Sequence, residues 1–448
     1  MHAKDTPSAR SHIPATLTQP GAAAFWIAVI LTGVGTGIGA IALTRLLDIV
    51  QHRAWPGAGM SLTDAAAHAN PWRHVVVLFG AGTLTGAAQI VLRRLSSGNG
   101  IDTTEAIAFS AGRLPPLRTL ATAVLSVAVV GMGVSLGREA APKQAGAVMA
   151  NLLSDGARLS DEQRRLLVAC GAGAGMAAAY GVPLGGALFA LEVMRGALAL
   201  RMVLPALLTS LVATAISWLV LPDAPTYPIP PYVSSSSIIA WTLVAGPIAG
   251  VVSFAYVRAI AWADRNKPRG WRRLVVPVCA LTVLGLVSIQ FPELLGNGKD
   301  IAELTFADRM TTPLLLALLV LKPASTVLCL GSGAPGGLFT PSLALGALLG
   351  TALGHAWSLV WPGVPPGLFA VIGAAAVLAA TTQGPISAAV LIMELTGRDR
   401  SFIVPLVLGV AIATLVSRTI ETRSIYDARL TDEQVEARRR PLVPAPST

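Results

Sequence analysis

Apolar stretches almost free of charge recur along this chain from residue 22 to residue 420, and they leave few folds open. The first, 22–47, holds one charged residue, Arg45. It exceeds the ~20 residues needed to span hydrocarbon. It is too long for the apolar core of a signal peptide and no cleavage site follows, so it reads as an uncleaved first membrane helix. Further stretches lie at 74–92, 117–135, 139–153, 164–180, 183–198, 202–221, 236–262, 273–290, 312–330, 338–361, 367–380, 386–396 and 402–417. Only 12% of residues are charged, against about 25% in soluble domains. Such a chain cannot cover itself with a soluble surface. Its apolar stretches point to one large domain embedded in a lipid bilayer.

The net charge of +10 raises the question of nucleic acid. The basic residues form no single face. They gather at the ends of apolar stretches: Arg93-Arg94, Arg164-Arg165, from Arg265 to Arg273, and from Arg438 to Arg440. Loops flanking membrane helices look like this, and cationic loops prefer the cytoplasm. The pattern argues against a nucleic-acid partner and for a multi-pass protein of the cell (cytoplasmic) membrane. Cys170, Cys279 and Cys329 all lie in apolar stretches, and their spacing fits neither a metal site nor a disulfide framework. All three are expected as buried packing residues. No metal and no cofactor is expected.

Several stretches are too short for a full span and are broken by Gly and Pro, as at Gly181-Val182-Pro183 and Gly384-Pro385. Broken segments in corresponding places mark transporters built from repeats. Residues 171–183 align with 373–385, and Glu192 with Glu394, at a constant offset of 202. Gly137, Gly146 and Ala147 align with Gly337, Gly346 and Ala347 at an offset of 200. The alanines count for little in a Gly/Ala-rich chain. The glutamates, each nine residues after its proline, indicate an internal duplication. Whether the repeats run parallel or inverted is not readable from the alignment. The expected organisation is a mobile segment 1–20, a membrane domain 21–430 with repeats at about 21–221 and 236–420, and a tail 431–448. The Pro-rich segment 222–235 joins the halves.

Three Gly-containing turns precede expected helix starts: Gly98-Asn99-Gly100-Ile101, Gly137-Arg138-Glu139, and Gly336-Gly337-Leu338-Phe339-Thr340-Pro341. Helix N-termini carry free N–H groups and a partial positive charge, and so bind anions without a cationic side chain. That suits conduction, since a full positive charge would hold an anion too tightly to release it. For any one turn alone, tight helix packing is the simpler account. Glu139 alters that balance, because a carboxylate inside an apolar region is costly and functional by default. It can take the place of an anion and leave on protonation. The structural alternative pairs it with Arg138. Glu192 and Glu394 read as structural carboxylates bonded to backbone, sharing one role by repeat symmetry. An enzyme reading rests on Gly133-Val134-Ser135-Leu136-Gly137, which fits the hydrolase elbow G-x-S-x-G. That elbow needs a strand–turn–helix and a partner histidine, and Ser135 follows an apolar helix instead. No enzymatic activity is expected.

In this order the three turns resemble the signature segments of the CLC family of chloride channels and proton-coupled chloride transporters. Residues 98–101 resemble G-S-G-I-P, 137–142 resemble G-R-E-G-P, and 331–341 resemble the G-x-F-x-P segment with its leader. Residues 183–192 are similar to the P-L-x-G-x-L-F-x-x-E helix, and Ser424-Ile425-Tyr426 to the late tyrosine segment. The resemblance runs from about residue 22 to 430. It implies an all-α polytopic membrane protein with the CLC-type fold: two inverted repeats of broken and tilted helices, in a homodimer with one anion pathway per subunit. It implies Glu139 as the gate. It further implies an anion site built from Gly98, Asn99, Gly100, Ile101, Gly137, Arg138, Gly337, Leu338, Phe339, Thr340 and Tyr426.

Departures bear on function. Asn99 stands in place of the family's anion-coordinating serine, and Asp102 in place of the motif proline, which leaves the preferred anion open. Ala140 and Ala141 replace Gly-Pro, and proline follows one position later at Pro142. Val193 stands where proton-coupled members carry a second glutamate, so an inner proton path would have to use Glu192 or water. The expectation is a glutamate-gated pathway for chloride or other small anions, channel-like or weakly proton-coupled. A proton/chloride antiporter is the alternative, and a secondary transporter of another anion or organic solute the second.

Overall fold

The computed structural model describes residues 22–57, 59–95, 102–232, 234–397, 402–427, 430 and 433–435. The expected mobile segment, the Gly98–Ile101 turn and most of the tail lie outside the described residues. The regular elements among those described are helical. The first half holds α1 Ala22–Ala54, α2 Leu62–Ala67, α3 Pro71–Leu95, α4 Thr103–Phe109, α5 Pro116–Gly131, α6 Ala140–Gly156, α7 Asp161–Tyr180, α8 Pro183–Phe189 and α9 Leu200–Ser217. The second half holds α10 Ser236–Arg265, α11 Arg272–Ser288, α12 Lys299–Phe306, α13 Thr312–Ser332, α14 Phe339–Ser358, α15 Pro366–Thr382, α16 Pro385–Thr396 and α17 Ile403–Ile420.

Helices α1, α3, α9, α10, α13 and α17 are long and apolar enough to cross a bilayer. Others, such as α8 and α16, stop short. Both begin with proline at their first turn, where its missing N–H costs nothing. In front of α8 the chain turns through Gly181 at φ 68°. The equivalent turn before α16 uses Gln383 at φ 59°, a conformation that costs a side-chain-bearing residue roughly 1–2 kcal/mol. Its amide offsets this by donating to the Ala380 carbonyl at 2.8 Å and accepting from Arg418 Nε at 2.8 Å.

The halves repeat their packing. Helix α6 lies on α7 as α14 lies on α15, and α1 lies on α9 as α10 lies on α17. The α6–α7 crossing is backbone to backbone. A Cβ on Gly146 would strike the Gly171 carbonyl, and Gly346 stands in the same relation to Gly373. Without a hydrophobic force between helices in lipid, such close approach through small residues is what binds them. Equivalent segments meet antiparallel at Gly137 and Gly337. A local two-fold rotation therefore relates the halves at this point.

The outer surface is apolar, with Leu200, Val320 and Leu415 all more than half exposed. Exposed Trp72, Trp218, Trp262, Trp271 and Trp361 sit at or near helix ends, where indole rings anchor to the membrane interface. Helix α15 is buried along its length from Gly367. One expectation fails here. Cys170 and Cys329 are buried, but Cys279 is exposed on α11. An apolar residue facing lipid is as well placed as one facing the interior, so hydrophobicity alone does not tell the two apart.

Candidate functional site

Two crossing segments build the site. One runs from the end of α5 to the start of α6, and the other from the end of α13 to the start of α14. Gly133 (φ 103°) and Gly333 (φ 93°) begin the two breaks. The segments cross where Gly137 N–H donates to the Gly337 carbonyl and Gly337 N–H to the Gly137 carbonyl, both at 2.7 Å. Helix α6 begins at Ala140 despite the displaced proline.

Glu139 stands at the start of α6 but gives its own helix no side-chain cap. Its carboxylate folds back across both glycines. A Cβ on either Gly137 or Gly337 would collide with it, so any larger residue there would require the carboxylate to move. Oε1 accepts the Phe339 N–H at 2.7 Å, and Oε2 accepts the Thr340 hydroxyl at 3.2 Å. Tyr180 Oη lies 3.5 Å from Oε2 and 2.9 Å from the Thr340 hydroxyl. Glu139 therefore occupies the positive end of α14, a site suited to a free anion. It is fully buried. The alternative pairing with Arg138 is not what forms: the Arg138 guanidinium lies 4.9 Å above the Tyr180 ring.

A chamber of about 200 Å³ lies on each side of this crossing. Asp102, Ser126, Lys143, Gly337, Leu338 and Tyr426 are among the residues lining one. Asp48, Val130, Arg138, Glu293, Gly296 and Asp300 are among those lining the other. On α5, Thr122 and Ser126 face the first chamber and Val130 the second, so the two walls are offset along this helix by roughly 6–12 Å at 1.5 Å per residue. Glu139 lines neither and sits between them.

Tyr426 lies in a short turn after α17. Ser424 and Asp427 hold the turn through side-chain bonds at 2.8 and 3.1 Å, and Ile425 N–H ties it to the Thr381 carbonyl at 2.7 Å. Among the described residues nothing bonds the buried Tyr426 hydroxyl. Its ring meets Phe189 edge to face at 5.8 Å, and Phe189 meets Phe339 at 6.5 Å.

Gly137, Glu139, Gly337, Leu338, Phe339 and Thr340 thus converge, with Tyr426 on the adjoining chamber. Arg138 parts from the others and faces the opposite chamber. Gly98, Asn99, Gly100 and Ile101 lie outside the described residues. Glu192 accepts the Ile386 and Ser387 N–H groups at 3.1 and 2.6 Å, and Glu394 accepts those of Leu184 and Gly185 at 3.0 and 2.6 Å. The two are structural caps in reciprocal places. Val193 is buried. Ser135 shares its hydroxyl with Ser325 at 2.9 Å and follows a helix, so the hydrolase elbow is not formed.

Sequence reasoning missed three residues. Tyr180 is the aromatic that closes over Glu139. Buried Lys322 donates to the Leu294 and Gly296 carbonyls at 3.0 and 2.9 Å, fixing the loop beside the second chamber. Lys143, nearly buried, faces the first chamber. Its position adds a further basic side chain, besides Arg138, to the walls of the two chambers. An ionisable residue within an apolar stretch was the available signal.

Comparison with known proteins places these features in context. The family model described as voltage gated chloride channel matches residues 81–418. A putative chloride channel protein ClcB-like of Ralstonia nicotianae is 30% identical over 424 residues, covering 91% of this chain and 97% of that one. The H(+)/Cl(-) exchange transporter ClcA of Vibrio vulnificus is 31% identical over 316 residues, 67% of each chain. A slow cyanobacterial Cl-/H+ antiporter shares the fold with a TM-score of 0.80 at 22% identity, covering 93% of this chain and 99% of that one.

Proposed function

The chain belongs to the voltage-gated chloride channel family of anion-transporting membrane proteins, and on that premise we propose that it exchanges chloride for protons, with Glu139 as both gate and proton carrier. One observation carries this reading: the Glu139 carboxylate takes the Phe339 N–H and the Thr340 hydroxyl, the donors an anion would need. While charged, the carboxylate holds the site and separates the chambers. Protonation removes the charge that keeps it there, and an anion can then accept the same donors. The proton leaves with the displaced side chain, so anion and proton use one site in alternation. The exchange named for the Vibrio relative and the cyanobacterial neighbour supports the coupling.

The chamber holding Lys143 and Tyr426 is also lined by Lys267, within the basic run from Arg265 to Arg273. Cationic loops favour the cytoplasm, so this is the inner chamber and that of Arg138 the outer. The assembly is a homodimer in the cytoplasmic membrane.

A second reading, uncoupled channel-like passage, has its own observation. Val193 cannot carry a proton, and both Glu192 oxygens are taken by α16. Liposomes under a chloride gradient, with a pH electrode in the bath, separate the two. Proton movement in fixed ratio to chloride is expected. Chloride flux without protons would establish the uncoupled reading.

A further inference from the structure

Helix α10 ends at Arg265 and α11 begins at Arg272. From Trp262 to Arg273 the chain carries five basic residues and one acidic, Asp264. Two of the five act within the turn. Lys267 Nζ meets the Asp264 carboxylate at 2.5 Å, and Arg273 Nε donates to the Pro268 carbonyl at 3.1 Å. Arg265, Arg269 and Arg272 are exposed at its surface. Among the described residues no carboxylate pairs with any of the three. Three guanidinium groups are thus presented on a turn whose shape the other two basic side chains help to fix.

Apolar surface brackets these charges. Trp262 and Trp271 are 61% and 72% exposed, and Leu274 and Val275 are exposed at the start of α11. Indole rings at helix ends settle at the level of the lipid headgroups, which holds the turn at the depth of the phosphates. Helix α3 reaches the same level. Its Gly82 meets Val278 and its Gly86 meets Leu274, so it runs antiparallel to α11. Its last turn, with Arg93 and Arg94 in sequence, therefore ends on the same side of the membrane. Guanidinium forks match phosphate oxygens two at a time. A dissolved phosphate would use the arginines but not their apolar flank. A ligand with a charged head and a hydrocarbon tail uses both.

We propose that the α10–α11 turn binds the headgroup of an anionic phospholipid, its phosphate held by Arg265, Arg269 and Arg272 and its upper chains lying against Trp262 and Trp271. Lys267 of the same turn lines the inner chamber, so lipid held here stands beside that chamber. The inference goes beyond anion transport and does not depend on whether protons are exchanged.

The test is titration of the purified full chain in detergent with phospholipids brominated in their acyl chains, read by quenching of tryptophan fluorescence. Each basic side chain near a membrane surface strengthens the hold on anionic lipid about fivefold. Phosphatidylglycerol is therefore expected to half-saturate at a concentration about tenfold or more below that of phosphatidylcholine. The triple variant Arg265→Gln/Arg269→Gln/Arg272→Gln is expected to lose this preference and to bind phosphatidylcholine as before. Equal half-saturation by the two lipids on the unmodified chain, or a preference that survives in the triple variant, overturns the proposal. Release of phosphatidylglycerol by inorganic phosphate also overturns it, since the turn would then be a site for the free anion. Should the triple variant not fold, Arg269→Gln alone decides. A loss of about fivefold for phosphatidylglycerol is expected, and no loss overturns the proposal.

Discussion

The Glu139 carboxylate accepts the backbone N–H of Phe339 at 2.7 Å, so a side chain from the first repeat caps a helix of the second. The proposed gate is therefore a contact between halves. Residues 200 positions apart meet there, and four consequences can be measured.

Glu139→Gln puts a permanently neutral amide in place of the carboxylate and so tests the proposed gating role. Anion flux in liposomes is expected to lose its dependence on pH, and chloride-driven proton uptake to fall to background. Flux that still rises on acidification would remove Glu139 from the mechanism.

Gly337→Ala places a methyl group where the carboxylate lies. Overpacking of this kind costs about 1–3 kcal/mol. The Glu139 side chain is expected to be displaced, raising anion flux at neutral pH and lowering the number of protons moved per chloride. Gly137→Ala should do the same through the equivalent position. Wild-type flux and coupling in both variants would show that the carboxylate does not need this space.

Tyr426→Phe removes the unpartnered hydroxyl and keeps the ring against Phe189 and Lys143. Loss of one neutral hydrogen bond, about 0.5–1.5 kcal/mol, predicts a three- to tenfold weaker chloride affinity by calorimetry. Unchanged affinity would leave the tyrosine as a packing residue.

Glu394→Gln and Glu192→Gln each take a charged acceptor from two backbone N–H groups. Each should cost about 1–3 kcal/mol of stability, seen as a similar fall in thermal midpoint in detergent, with the proton-to-chloride ratio unchanged. If Glu192→Gln alone abolished coupling, Glu192 would be an inner proton carrier and not only a cap.

Much of the site was legible because its chemistry demands unusual residues. A glutamate in an apolar region and glycines at broken turns stand out, and repeated Pro–Glu spacing exposes the duplication. The helix that Glu139 caps was not legible, because which donors reach the carboxylate is set by how the halves cross and not by neighbours in sequence. Lys143 went unnoticed since residues 139–153 read as one apolar stretch, and its partners Phe189 and Tyr426 come from distant elements. Cys279 was misplaced for a reason peculiar to membranes. With lipid outside, the inward and outward faces of a helix carry the same kind of residue.

The reciprocity of Gly137 with Gly337, and of Glu192 and Glu394 with each other's helix, has the form of an isologous dimer contact, in which residue i meets j and j meets i. The seam inside this chain thus has the form of a subunit interface whose two sides are joined by the 222–235 segment. Separate halves would have to find each other at this seam before the Glu139 carboxylate could reach the Phe339 N–H. Cutting the chain within 222–235 and expressing both pieces together asks whether the seam alone brings them together.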